Sequence, residues 1–171
     1  MCSAGLLRYI ETKKNVRRAN YRCGSRIEIV WDLIRSIFLA SLLRLTPHPV
    51  SLNGAYTLRI EPPVTALTAR AQVELKLTSK TYVDMKPQDV EEIAKRTFSS
   101  AQISAEVVES KTGRKALFRY MGRFAWDKEG LILLIEPTAP VPTNAKFNFL
   151  SLQSNVGMES VLIYWKNTGT K

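Results

Sequence analysis

KALFRYMGRFAWDKEGLILLIEP, residues 115–137, is the stretch on which the fold turns. Asp127 and Gly130 take the first and last positions favoured in a type I turn, so the segment reads as a β-hairpin. In an extended chain successive side chains point to opposite faces. Phe118, Tyr120, Phe124 and Trp126 therefore fall on one face, with Gly122 between them, and Arg119 and Arg123 on the other. Such a strand is either the aromatic centre of a core or a base-stacking platform edged with charge.

Outward from the hairpin the pattern repeats. Ala69, Ala71, Val73, Leu75 and Leu77 alternate with Arg70, Gln72, Glu74, Lys76 and Thr78, the signature of a strand with one face buried and one wet. Tyr56, Leu58 and Ile60 alternate likewise until Pro62 and Pro63 end the run. Ile103, Ala105 and Val107 begin another strand, and Lys111-Thr112-Gly113 turns it into the hairpin. Residues 146–153 slip phase from Phe147 and Phe149 to Leu150 and Leu152, as a bulge produces, and residues 161–165 form a last strand. Residues 87–98 are the one helix of this region: proline opens it, Asp89, Glu91 and Glu92 crowd the first turn, and Lys95 and Arg96 occupy the last. The expectation is a mainly β fold, an antiparallel β-sandwich or partly open barrel of about seven strands with one short helix.

Ahead of it lies a different composition. Residues 1–26 hold seven basic side chains against one acid and read as a poorly ordered basic arm, while residues 51–171 hold sixteen against twelve. Most of the formal charge of +10 is therefore not in the globular part, which weakens the inference of a polyanion partner. Residues 27–45 are the most apolar run, read as an apolar helix. Glu28, Asp32, Arg35 and Arg44 make it a poor membrane span, since each charge near a bilayer centre costs roughly 2.5 to 3.5 kcal/mol. Its basic, apolar and polar order resembles a secretory signal reached from an internal start; an amphipathic helix packed on the domain and an interfacial membrane contact are the other readings. Residues 46–53 are read as a linker, because Pro47 and Pro49 stop any helix, and residues 54–171 as the β-rich domain.

The chemistry is mostly exclusion. Both cysteines, Cys2 and Cys23, lie in the basic arm, so no disulfide framework or zinc ribbon is built in the domain. The one histidine, His48, is held between prolines, a poor base for a triad. Lys111-Thr112-Gly113 is similar to a strand motif of penicillin-binding proteins and serine β-lactamases. Those enzymes also need Ser-x-x-Lys, and no serine here has lysine three residues on. The interleaved basic and aromatic residues of 119–126 resemble the stacking strand of RNA-recognition domains, but the glycine is displaced and the second helix is missing. The domain has few other aromatics, so these rings are read as core.

No cofactor or metal is expected, and an enzymatic role has no support in the spacing. The leading expectation is a non-catalytic binding or assembly module, exported to a bacterial periplasm or beyond, that meets a protein partner or copies of itself. Strand addition would use an open edge, with Tyr56, Leu58 and Ile60 or Val161, Ile163 and Trp165 as candidates. The alternative is a cytoplasmic nucleic-acid-binding module using the basic arm with Arg114, Lys115, Arg119 and Arg123.

Overall fold

The structure is a computed structural model and describes residues 42–168. The basic arm, and the apolar run as far as residue 41, lie outside the described residues. Seven strands occur in the order β1 (Leu42–Arg44), β2 (Val50–Thr65), β3 (Gln72–Leu77), β4 (Ile103–Glu109), β5 (Lys115–Asp127), β6 (Gly130–Pro137) and β7 (Lys146–Lys166), with helix α1 (Pro87–Phe98) between β3 and β4.

β7 organises them. It pairs with β4 along its first half, with β3 along its last third, and β3, β6, β5 and β4 pair in turn, so a ring of five antiparallel strands closes. Ser154 faces both Gly54 and Ile103, and Tyr164 faces both Arg44 and Glu74. β1 and β2 therefore lie along the other edge of β7, outside the ring. The fold is thus mainly β with a closed barrel and two appended strands, the barrel side of the sandwich-or-barrel expectation.

The barrel interior is filled from every strand of the ring. Val73, Leu75 and Leu77 meet Leu131, Leu133 and Ile135 across the β3–β6 pair, all essentially inaccessible. Trp165 lies between Phe118 and Phe147, with ring centroids 5.9 and 5.6 Å away, and its Nε1 donates to the Thr65 carbonyl at 3.2 Å. Rings of this size bury about 150 to 250 Å² each, so the three together are a large apolar contribution to the core. Helix α1 runs over the expected residues. It buries Val90, Ala94 and Phe98, and closes its last turn with the Ser99 N–H on the Lys95 carbonyl at 3.1 Å.

Five expectations need correction. The polar side of β3 is not wet: Gln72, Glu74 and Lys76 are buried along with the apolar residues between them. Their charges are met within the structure, Glu74 by Gln72 at 2.8 Å and Lys166 at 2.7 Å, and Lys76 by Asp127 and Glu129. β2 does not end at Pro62. It passes through both prolines inside a break of register between Arg59 and Val64, a bulge on an edge strand, where missing amide protons break no ladder. Residues 42–44, assigned to the end of the apolar helix, are β1, and residues 50–53 of the presumed linker are already in β2. What lies between is a tied corner: the Thr46 hydroxyl, buried, accepts from the Ile163 N–H at 3.1 Å, and the Leu45 N–H donates to the Ile163 carbonyl at 2.8 Å. The segments 146–153 and 161–165, read as two strands, are one 21-residue strand.

Candidate functional site

The β5–β6 hairpin forms with the expected turn. Asp127 faces Gly130, and the Asp127 carboxylate accepts from the Glu129 N–H at 2.8 Å, an Asx turn. A Cβ on Gly130, which has φ +150°, would sit 2.0 Å from the Leu77 carbonyl oxygen, so only glycine lets the hairpin lie this close to β3. Lys76 of β3 reaches under the turn to Asp127 at 2.7 Å and Glu129 at 2.6 Å. Burial by itself lowers the Lys76 pKa, but hydrogen bonds and charges from the two carboxylates outweigh it, so the ammonium titrates above its ordinary 10.5. Asp127 is likewise pushed up by burial and brought down further by the Lys76 hydrogen bond, ending below its ordinary 3.8.

The four aromatics of β5 share a face but not an environment. Phe118 is fully buried, Tyr120 and Phe124 are half-buried, and Trp126 is 43% exposed, tilted against Phe124 at 6.3 Å. The strand leaves the barrel as it approaches the turn. Two residues more lie on β5 than on β6 between the pairs Tyr120–Ile135 and Phe124–Leu133, and Gly122, at φ +77°, sits in this bulge. An excess of two keeps the aromatics in phase while bending the strand away.

The bulge also sorts the basic side chains. Arg123 pairs with Glu136 at 2.5 Å, and Lys115 with Glu106 at 2.9 Å. Arg114 is exposed at the β4–β5 turn, its N–H donating to the Thr112 hydroxyl at 3.2 Å. Arg119 directly faces Glu136, yet Arg123 has taken that carboxylate, and Arg119 is left with no carboxylate within 4 Å among the described residues. The four basic residues named from sequence are therefore not one equivalent patch, since two of them are matched by acids.

Arg119 lines instead a groove of about 840 Å³. Its floor is a row across four strands: Ala55 of β2 faces Gln153 of β7, which faces Ser104 of β4, which faces Arg119 of β5. Both ends of the groove coincide with register breaks, the one in β5 and another in β7 between the pairs Gly54–Ser154 and Leu52–Met158. Asn155, at the second break, lines the groove and accepts the Gln102 N–H on Oδ1 at 2.7 Å, which leaves its amide N–H groups uncommitted among the described residues. Tyr120 also lines the groove, and burial pushes its phenol above its ordinary 10.0. Ser104, Gln153 and Asn155 were not legible as site residues. Only the two positive-φ glycines beside the breaks, Gly54 and Gly122, hinted at them.

The edge candidates divide. Tyr56, Leu58 and Ile60 lie in β2, which among the described residues pairs with β7 alone. Val161, Ile163 and Trp165 do not form an edge: β7 is flanked there by β3 on one side and by β1, β2 and the residue 45 backbone on the other. His48 is exposed, and among the described residues no three His, Cys, Asp or Glu side chains are grouped as a metal site requires. Among the same residues no helix is long and apolar enough to cross a membrane. Comparison of the chain with protein families, curated proteins and solved structures gives no match.

Proposed function

We propose that the chain is a non-catalytic protein-binding module that accepts an extended segment as an added strand along β2, and that a second copy of the chain supplies that segment. The observation that carries this reading is the outer edge of β2, a strand of 16 residues paired on one side only among the described residues. An unpaired edge presents a row of backbone donors and acceptors ready to bond another chain.

Residues 55–59 are the usable part of that edge, because their register with β7 is unbroken. Two copies paired antiparallel about Thr57 would set Tyr56 against Leu58 twice and Thr57 against Thr57, pairs that each contribute about 0.2 to 1 kcal/mol. The contact is small, so the association belongs to the weak and reversible class. Export remains part of this proposal. β1 is paired into the folded unit, so any cleaved leader would end before Leu42, leaving 17 basic and 12 acidic side chains.

Consecutive residues of an antiparallel strand direct their backbone groups to opposite sides, so of Thr57 and Leu58 one bonds β7 and the other faces outward. Proline at the outward position should abolish self-association and leave the fold; proline at the other should destabilise the domain. Sedimentation of the full chain over a wide concentration range, with circular dichroism of both variants, makes the test. A monomer at every concentration, or self-association unchanged by either proline, would overturn the proposal.

A further inference from the structure

The groove at Arg119 carries an inference separate from the β2 edge. We infer that it is a binding site for a small organic anion carrying one carboxylate or phosphate group and neighbouring hydroxyl groups, with Arg119 as the anchor. Three observations support this.

The first is charge. Among the described residues, Arg119 is the one charged side chain lining the groove, and no acid lines it. The strand register puts Glu136 directly opposite Arg119, the arrangement that would ordinarily give a cross-strand ion pair. The β5 bulge delivers Arg123 to Glu136 instead, at 2.5 Å. The guanidinium is thereby left to a ligand, and its planar fork of N–H donors matches a carboxylate or phosphate in two parallel hydrogen bonds.

The second is the set of donors beside it. Ser104 and Gln153 occupy the same row as Arg119, and Asn155 lines the groove beside the β7 break with its side-chain oxygen already used. Hydroxyl and amide groups arranged around one cation suit a ligand whose charge is localised and whose remainder is hydroxylated. The third is size. At about 840 Å³ the groove falls inside the roughly 300 to 1,000 Å³ typical of small-ligand sites. Its floor is kept open by small side chains, Ala55 and Ser104, so a bulky residue at either position would fill it.

The test is a titration of the full chain followed by amide chemical shifts, with D-glucuronate as the carboxylate probe, glucose 6-phosphate as the phosphate probe and glucose as the neutral control. Saturable shifts are expected at Gly54, Ser104, Tyr120 and Ser154 with one or both anions. Glucose should bind about tenfold or more weaker, the loss expected when a charged hydrogen bond is removed. Arg119→Gln should weaken the anions by a similar factor and leave glucose unchanged. Ser104→Trp, which keeps the arginine and fills the floor, should abolish both. The proposal is overturned if the shifts survive Arg119→Gln, if they spread equally over Arg114, Lys115 and Arg123, if no probe binds, or if a single-stranded oligonucleotide binds the same residues with steep salt dependence while the small anions do not. Which anion binds tighter distinguishes carboxylate from phosphate ligands, and an unchanged monomer–oligomer equilibrium in Arg119→Gln separates this site from the β2 edge.

Discussion

Replacing Lys76 and removing its two carboxylate partners should have unequal costs, and the inequality follows from where each group sits. The Lys76 side chain is 9% exposed, Asp127 46% and Glu129 78%. In Lys76→Met the buried ammonium disappears, an apolar side chain of similar length keeps the contact with the facing Ile132 and Leu162, and the carboxylates return to water. The expected loss is about 0 to 1 kcal/mol, the value of a pair whose acids are solvated. In Asp127→Asn with Glu129→Gln the turn keeps its Asx acceptor, but the ammonium stays under it without a counter-charge. Stranding a fully buried charge costs about 3 to 5 kcal/mol; with water near the turn the expected loss is about 2 to 3 kcal/mol. Urea unfolding at neutral pH reads the difference as a shift of midpoint at unchanged slope. Equal losses, or a larger loss for Lys76→Met, would refute the account. The pH dependence follows with its sign. Asp127 titrates below 3.8 in the folded state, so its contribution is present above that value and is lost as pH falls through the folded pKa. Lys76 titrates above 10.5, so its contribution is present below that value and is lost as pH rises through the folded pKa. Lys76→Met should flatten both limbs.

Other substitutions test the packing. Gly130→Ala puts a methyl group on the Leu77 carbonyl and should cost about 3 kcal/mol, seen as a lower thermal midpoint and faster amide exchange in the β5–β6 turn. Phe118→Ala should cost about 3 to 5 kcal/mol by opening a cavity beside Trp165, whereas Trp126→Ala, half out of the barrel, should stay within about 0.5 to 1 kcal/mol; chemical denaturation compares them directly. Thr46→Val removes the acceptor of the buried Ile163 N–H and should cost about 1 to 3 kcal/mol, with loss of exchange protection at that amide.

Local pattern carried the hairpin and the helix well, because both are written in short-range chemistry: the Asp127 turn, the Pro87 start, the charge gradient across the helix. The phase of β3 was also readable, while the burial of its polar side was not. Gln72, Glu74 and Lys76 look like a solvated face until residues 127, 129 and 166 arrive from far along the chain to neutralise them. β7 was divided in two because Ser154, Asn155, Gly157 and Ser160 resemble a turn, and pairing with β2 at Ser154, Met158 and Val161 carries the strand through them. The groove was the least legible feature. Arg119 and Arg123 look alike in sequence, and what separates them is a two-residue excess that cannot be counted without the partner strand.

β7 meets four other strands, and Leu42, at the start of the described unit, pairs with Lys166 near its end. On a ribosome β1, β2 and the outer side of β3 must therefore wait, unpaired, until almost the whole chain has emerged. The β4–β5–β6 meander has its partners nearby in sequence and can assemble earlier. The delay falls on β2, whose outer side has no strand partner among the described residues, so incomplete chains and the folded unit expose the same backbone groups. Moving residues 146–166 ahead of β1 by circular permutation would shorten the wait, and the yield of folded protein would report how much that delay costs.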